Sequence, residues 1–154
     1  MRWVRTEPLT IRQILLSATA FMAALAVFGG LALQFAIVAM WMPLINSVAL
    51  VTTTPWLPSA RGWPIVAGHG VTAIVGSIAG HLFGASVGVA IVAATIGLLL
   101  MLTARAMHPP AAATGLVFTL HPVPPHIAIP LLILGAAGVA LLGGLMRRSK
   151  SAYP

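Results

Sequence analysis

The chain has 154 residues, of which 60% are hydrophobic and only 6% are charged. A soluble domain carries about 25% charged residues, so this composition excludes an ordinary soluble protein. Together with a mean hydropathy of +1.06, it predicts a single all-α domain over residues 1–154, built as a polytopic bundle of membrane helices.

The charged residues are strongly unbalanced in sign. Eight Lys and Arg residues stand against one acid, Glu7, and the net charge is +7. In a membrane protein such an excess marks the cytoplasmic ends of helices, so we expect no nucleic-acid partner. The chain contains no cysteine, which excludes disulfides and thiolate metal sites.

The first half of the chain is predicted to hold two spans around a segment that proline interrupts. Thr10 and Gln13 fit a capping box, in which two side chains satisfy free N–H groups at a helix start. In chain order, the predicted elements are a helix over 11–28 that Gly29-Gly30 ends, an apolar run over 31–54 broken at Pro43, a loop over 55–63 and a span over 64–83.

The second half repeats this pattern. In chain order, its predicted elements are a connection at 84–86, a span over 87–107, a half-length helix over 109–120, a proline-rich stretch over 121–126 and a last span to Met146. Proline-interrupted apolar segments at matching places in two halves point to a transport site between repeats. We therefore predict two tandem, inverted repeats, about 1–83 and 84–154, with four full spans and two broken segments.

A helix break at Pro109-Pro110 precedes the half-length helix. Pro109 and Pro110 cannot lie inside a helix, because neither has an N–H and each clashes with the preceding turn. Both fit the first turn of a new helix, where N–H groups have no partner anyway. This arrangement places Arg105 and His108 beside the positive end of that helix.

The charges also predict the topology. If both broken segments cross the bilayer, the chain crosses six times and every Lys and Arg lies on one side. That side holds both termini, the loop with Arg61 and the turn with Arg105. We prefer this arrangement, with cytoplasmic termini and the bundle in a bacterial inner membrane. With four crossings and two re-entrant segments, Arg61 and Arg105 would lie on the other side.

Five glycines fall on one helical stripe. Small residues at such spacing let a neighbouring helix approach closely, either within the protomer or at a subunit interface. Because a bundle of this size has little bulk around a pore, we expect a homo-oligomer. The stripe consists of Gly68, Gly76, Gly80, Gly84 and Gly88.

The polar residues of the broken segments suit a small inorganic anion, since no carboxylate lies in any apolar run. The helix that starts at Pro109 would point N–H groups at the anion, and Arg105 would raise the local anion concentration. His108 would donate a hydrogen bond or a proton. The alternatives are an Arg105 that only reaches the membrane interface and threonines that bond within their own helix. The predicted anion path consists of Asn46, Ser47, His69, Arg105, His108, Pro109, Pro110 and Thr114.

Enzyme chemistry is not expected from this sequence. The five histidines have no carboxylate or cysteine beside them in the apolar runs, so we predict no metal and no cofactor. Acid–base catalysis by two carboxylates is excluded, because Glu7 is the only acid. A membrane enzyme that uses histidines alone ranks third among the functions considered.

Three blocks of the sequence carry a resemblance to a known family. The stretch from Thr103 to Thr114 resembles the T-R-x-x-H-P-P-A-G-A-T block of the HPP family of integral membrane proteins, named for the tripeptide seen here as His108-Pro109-Pro110. Gly68-His69 resembles the family's G-G-H motif. Ser47-Val48-Ala49-Leu50 stands where the family has a G-A-S-A-V-L block.

This chain departs from the family pattern at four places. Ala67 replaces the first glycine of G-G-H, and the arginine expected in the loop before Gly68-His69 is offset, at Arg61. Ala112 stands where glycine is usual, and Pro43-Leu44-Ile45-Asn46 replaces the small, glycine-bearing part of the third block. The family is usually described with four membrane helices, and members in cyanobacteria and chloroplasts are associated with nitrite transport. The resemblance therefore implies a nitrite-type anion permease.

The leading functional hypothesis is a small-anion channel or permease for nitrite. The rival is a non-transporting structural or partner-binding membrane subunit, which the glycine stripe and the lack of a charge relay favour. A continuous polar path past residues 46, 105, 108 and 114 would favour transport. A fully packed interior would favour the structural subunit.

Overall fold

The computed structural model of the chain describes residues 10–34 and 38–149. Over these residues the protein is all-helical, as predicted, and no strand occurs among them. The helices are α1 (Ile11–Gln34), α2 (Val38–Thr53), α3 (Gly62–Phe83), α4 (Val87–Thr103), α5 (Pro109–Leu120) and α6 (Pro125–Arg148), with a 3-10 turn at Pro58–Ala60.

Helix α1 starts as predicted but ends later. The N–H of Thr10 donates to Gln13 Oε1 over 2.9 Å, and the N–H of Gln13 donates to Thr10 Oγ1 over 3.3 Å. These bonds confirm the capping box. The predicted end at Gly29-Gly30 is wrong, since the helix continues to Gln34. In lipid the glycine backbone has no water to bond with, so the helical hydrogen bonds persist through both glycines.

The predicted break at Pro43 is also wrong, because α2 runs through this residue as one helix. A proline removes only one helical N–H, and membrane helices tolerate the loss where neighbouring elements support both sides. Pro43 is buried among such neighbours. Helix α6 passes through Pro130 in the same way.

Helix α4 ends four residues before the predicted boundary at 107, at Thr103. Its end is a Schellman motif, in which the N–H of Ala106 bonds to the carbonyl of Met101 over 2.9 Å and that of Arg105 to the carbonyl of Leu102 over 3.2 Å. Arg105 takes the left-handed position of the motif, with φ 52°. Glycine is usual there, and another residue costs about 1–2 kcal/mol.

Helix α5 has the predicted bounds, Pro109–Leu120. Its start and the end of α4 confirm the predicted break before Pro109. Residues 121–124 are non-helical, and α6 begins at Pro125 and ends at Arg148. The two proline-rich corners therefore isolate a 12-residue helix between two longer ones.

Several helix ends meet at one end of the bundle. The hydroxyl of Ser17, near the start of α1, donates to the carbonyl of Thr52 at the end of α2 over 2.7 Å. The indole N–H of Trp63, at the start of α3, lies 3.5 Å from the carbonyl of Ala104 after α4. The chain thus returns to this end after each pair of helices.

Helix α6 also ends here. The Arg147 guanidinium donates to the carbonyls of Ala60 over 2.8 Å and Pro55 over 3.4 Å, both in the loop between α2 and α3. We call this the arginine end of the bundle, because the described arginines lie at the helix termini that meet there. They are Arg12, Arg61, Arg105, Arg147 and Arg148.

Helix α3 lies at the centre of the bundle and packs against α4, α5 and α6. Its contact with α5 depends on glycine. A Cβ on Gly76 would lie 2.5 Å from the carbonyl oxygen of Gly115, and one on Gly80 would lie 2.7 Å from that of Thr119. These distances are well inside van der Waals contact, so only glycine permits this approach of the two backbones.

The last two glycines of the predicted stripe are not at a helix contact. Gly84 has φ 85° and forms the turn after α3, and a Cβ there would have no atom within 4 Å. A Cβ on Gly88 would also meet nothing within 4 Å. Within the described residues of one protomer, close packing along the stripe therefore occurs on α3.

Three of the described helices are long and apolar enough to cross a membrane. The candidate spans are Ile11–Leu31, Gly62–Phe83 and Pro125–Arg148. The fourth span expected over 87–107 is shortened to the 17 residues of α4 by the Schellman motif. Large apolar side chains such as Leu82 (70% exposed) and Leu134 (69%) cover the outside of the bundle, as expected of a surface that faces lipid.

Gly76→Ala is expected to lower the free energy of unfolding by roughly 1–3 kcal/mol, because the new methyl must push the α5 backbone away. Gly88→Ala is the matched control. It adds the same methyl in open space and should be neutral or slightly stabilising, since alanine favours helix. Thermal unfolding in detergent measures both, and equal midpoints would refute the close α3–α5 contact.

Candidate functional site

Four of the predicted path residues form one buried cluster. Ser47 lies on α2, His69 on α3, His108 directly before α5, and Thr114 on α5. Each has 0% exposed surface. We call these four side chains the polar cluster. It joins two residues of the first half of the chain to two of the second.

The cluster is a continuous chain of short hydrogen bonds. Ser47 Oγ lies 2.8 Å from Nε2 of His69 and 2.8 Å from Nε2 of His108. At one end, His69 Nδ1 lies 2.7 Å from Thr114 Oγ1. At the other end, His108 Nδ1 lies 2.7 Å from the carbonyl oxygen of Ser59. The two imidazole rings are 5.2 Å apart, so the serine hydroxyl bridges them.

The carbonyl of Ser59 fixes the direction of every bond in the chain. A carbonyl oxygen only accepts, so His108 Nδ1 carries the proton, and in a neutral ring Nε2 then accepts. Ser47 must donate to this nitrogen, and its oxygen accepts from the Nε2–H of His69. Nδ1 of His69 then accepts from the hydroxyl of Thr114. The two histidines therefore hold opposite tautomers, a consequence of the bonding network.

Local sequence explains how the two histidines meet. A residue before proline is forced to extended backbone, and His108 has φ −134° and ψ 96°. This turns its side chain away from the axis of α5 and towards α3. Gly68 provides the space, since a Cβ there would lie 3.1 Å from the Cβ of His108. The Gly68-His69 pair thus supplies both the space for one histidine and the second histidine itself.

Arg147 holds the loop that carries the Ser59 carbonyl. Its guanidinium bonds to the carbonyl of Ala60, the next residue, over 2.8 Å. The side chain thereby ties the C-terminal end of α6 to the loop between α2 and α3. The position of the acceptor for His108 depends on this tie.

Asn46 and Ser47 are neighbours in sequence, but only Ser47 is buried. Asn46 is exposed and lies in a surface depression of about 300 Å³ between α2 and α5, lined also by Met42, Pro43, Ile45, Ala113 and Val117. Its neighbours Pro43 and Ala113 are close in sequence to cluster residues. The depression is therefore lined by the two helices, α2 and α5, that also carry Ser47 and Thr114.

Arg105 does not join the cluster. Its side chain is exposed at the arginine end, and the structure places it in the turn between α4 and α5. Within the described residues it makes no side-chain hydrogen bond or ion pair. The alternative in which Arg105 reaches the membrane interface fits this position.

The first residues of the helix that starts at Pro109 cannot serve an anion in the way expected. Pro109 and Pro110 have no N–H, and the N–H of Ala111 bonds to the carbonyl of His108 over 2.9 Å. Residues 109–111 therefore offer no free backbone donor, and the helix dipole remains to attract negative charge. That other N–H groups of this helix start face an anion stays a prediction.

Other threonine hydroxyls of α2, its C-terminal end and α5 donate to backbone carbonyls. Thr53 and Thr54 donate to carbonyls of α2, and Thr119 donates to the carbonyls of Gly115 and Gly76, across the contact of α3 with α5. These bonds match the alternative in which threonines satisfy backbone groups. Residues 10–34 and 38–149 contain no group of three or more histidines or acids that could hold a metal.

Sequence analysis missed the two backbone acceptors of the site. The carbonyl of Ser59 fixes the tautomers, and the carbonyl of Pro43 lies 3.2 Å from Ser47 Oγ. A backbone carbonyl leaves no signature in residue types, so no pattern could have indicated these atoms. The role of Arg147 was missed for the same reason, since its partners are also carbonyls.

An all-helical bundle with an apolar exterior and a sealed polar interior defines an integral membrane protein. The chain belongs to the HPP family, since the family model described as "HPP, transmembrane region" matches residues 6–154. This match confirms the family resemblance seen in the sequence. Comparisons with curated proteins and with solved structures found no match.

Ser47→Ala is expected to lower the free energy of unfolding by roughly 1–3 kcal/mol, because it leaves ring nitrogens of two buried histidines without a partner. Ser77→Ala is the matched control. Ser77 is also buried, and its hydroxyl has no partner among the described residues, so its removal breaks no bond. Chemical denaturation in detergent compares the two, and equal stability would contradict the bridging role of Ser47.

Proposed function

We propose that the protein moves a small inorganic anion across the bilayer, as a channel or permease, and that the anion is nitrite. The observation that carries this proposal is the junction of α2 and α5, one from each half of the chain. These helices pack against each other and enclose a cluster of hydroxyl and imidazole groups. No carboxylate occurs in the described ranges. No negatively charged side chain there would therefore repel an anion at this junction.

The arrangement of the helices supports a transport fold. Each half of the chain supplies three helices, α1 to α3 and α4 to α6. If each helix crosses once, an odd number per half leaves the second half inverted relative to the first. We propose six crossings on this basis, with the arginine end in the cytoplasm of a bacterial cell.

The depression between α2 and α5 is the proposed entrance. Asn46 contributes an exposed amide there, and this neutral donor can hold an anion without trapping it. Ser47 and Thr114 lie on the same two helices. Movement of α2 relative to α5 would connect the depression to the cluster.

A structural or partner-binding subunit is the second candidate. It is favoured by the closed state of the cluster, whose four side chains bond to one another. None of the four lines the depression or the apolar groove of about 710 Å³ that Phe28, Trp41 and Leu132 line between α1, α2 and α6. In either role we expect a homo-oligomer in the membrane.

Asn46→Leu is expected to reduce nitrite uptake into proteoliposomes about tenfold or more, because a hydrogen bond to a charged group contributes about 1.5–3 kcal/mol. Thr95→Val is the matched control, since Thr95 is an exposed polar residue of α4, which does not line the depression. Uptake equal to that of protein-free vesicles, with folded wild-type protein, would refute transport and leave the structural subunit.

Arg105→Gln is expected to reduce the initial uptake rate about two- to tenfold at low ionic strength, because an exposed cation acts through its long-range field. The loss should vanish near 1 M of an impermeant salt, where the Debye length is about 3 Å. Arg61→Gln is the control. Arg61 is exposed at the same end but leads into α3, which does not line the depression. An equal loss of uptake rate in both variants would indicate that the positive charge of this end acts as a whole, and would contradict a specific role of Arg105 beside α5.

A further inference from the structure

The hydroxyl of Ser47 has three polar neighbours and can bond to them in two different ways. Its oxygen lies 2.8 Å from each of the two imidazole Nε2 atoms and 3.2 Å from the carbonyl of Pro43. A hydroxyl donates one hydrogen bond and accepts two. Its proton can therefore point to His108 or to Pro43, and each choice defines a different state of the cluster.

The first state is neutral. The hydroxyl proton of Ser47 points to Nε2 of His108, and the serine oxygen accepts from His69. The carbonyl of Pro43 then receives no hydrogen bond from Ser47. Each ring nitrogen of the two histidines has one partner in this state.

The second state holds one additional proton. If Nε2 of His108 is protonated, both imidazoles donate to the serine oxygen, and the hydroxyl proton turns to the carbonyl of Pro43. His108 still donates from Nδ1 to Ser59, and His69 still accepts from Thr114. The four ring nitrogens keep their partners, and only one hydroxyl has rotated.

A second additional proton has no such place. It would have to bind Nδ1 of His69, the remaining acceptor nitrogen, and the hydroxyl of Thr114 would have to give up its donated bond and accept instead. It would also place two cations with ring centres 5.2 Å apart. The geometry of the cluster thus admits one additional proton.

We infer that the polar cluster is a binding site for a single proton that travels with the anion, so that one proton and one nitrite cross together. This inference rests on the proposed function and specifies its coupling. On loading, a proton from water on one side forms the N–H bond at Nε2 of His108. On release, this bond breaks and the proton returns to water on the other side. No oxidation or reduction takes place.

Burial is the reason that the proton and the anion depend on each other. An imidazolium in an apolar interior is costly without an opposite charge. The described parts of α2, α4 and α5 carry no titratable side chain. The remaining titratable groups on the surrounding elements bear no negative charge; they are His81, His126, Arg61, Arg105, Arg147 and Arg148, with His121 after α5.

An anion at the depression between α2 and α5 would supply the missing opposite charge. It would lie next to Asn46, one residue from the serine that bridges the two histidines. By thermodynamic linkage, an anion that favours protonation of the cluster is itself bound more tightly when the cluster is protonated. Transport of the pair is electroneutral.

The test measures nitrite and protons in the same proteoliposomes. Vesicles with the full-length protein and an internal pH-sensitive dye receive an inward nitrite gradient at equal pH, with the membrane potential set by potassium and valinomycin. Nitrous acid crosses lipid unaided, so protein-free vesicles of the same lipid provide the background. We expect one proton per nitrite and a rate that does not change with the membrane potential.

His108→Gln tests the site itself. Glutamine is polar but cannot take up a proton, so any remaining nitrite uptake is expected to lose the accompanying acidification and to become dependent on voltage. Should this variant not fold, nitrogen-15 spectra of histidine in the wild-type protein replace it. They are expected to show His108 converting from the neutral form to the imidazolium when nitrite is added, with His69 staying neutral.

The outcomes separate the two proposals. Protein-dependent nitrite uptake without acidification, or with a rate that follows the membrane potential, overturns the proton site and leaves anion transport in place. Absence of protein-dependent nitrite uptake overturns the proposed function and, with it, the coupling. One proton per nitrite in both wild type and His108→Gln overturns the assignment of the proton to this cluster.

Discussion

The hydrogen bond from His108 Nδ1 to the carbonyl of Ser59, 2.7 Å long, is the constraint on which the interior depends. It fixes the tautomer of His108, which makes Ser47 a donor, His69 an acceptor at Nδ1 and Thr114 a donor. In a bilayer no bulk water can replace a lost partner. The direction of the whole chain is therefore set by one carbonyl in a loop.

That carbonyl is held by contacts far apart in sequence. Arg147, near the end of the described chain, bonds to the loop beside Ser59, and α6 thereby supports an atom used by His108. The arginines of this end thus have different tasks. Arg147 is tied to backbone, whereas Arg105 is exposed and occupies a left-handed backbone position that an L-residue adopts only at a cost.

Close helix packing is what brings the two halves of the cluster together. Gly76 and Gly80 let the backbone of α3 approach that of α5, and Gly68 leaves space for His108. Because side chains with Cβ atoms would separate these helices, His69 could not reach Thr114 in a looser bundle. The glycines therefore stabilise the fold and position the site through the same contact.

The sequence by itself determined the class of protein, the capping box at Thr10 and the half-length helix from Pro109. It also placed Ser47, His69, His108 and Thr114 among the eight residues of the predicted anion path. These follow from local chemistry: hydropathy, proline geometry and motif. The helical conformation at Pro43 and at Gly29-Gly30 does not follow from local chemistry. Neighbouring elements and lipid stabilise a helical backbone that the propensities of these residues alone would break. Only the tertiary structure decided that Arg105 lies outside the cluster and that backbone carbonyls complete it. Side-chain direction and backbone acceptors depend on how distant segments pack, and residue types alone do not encode them.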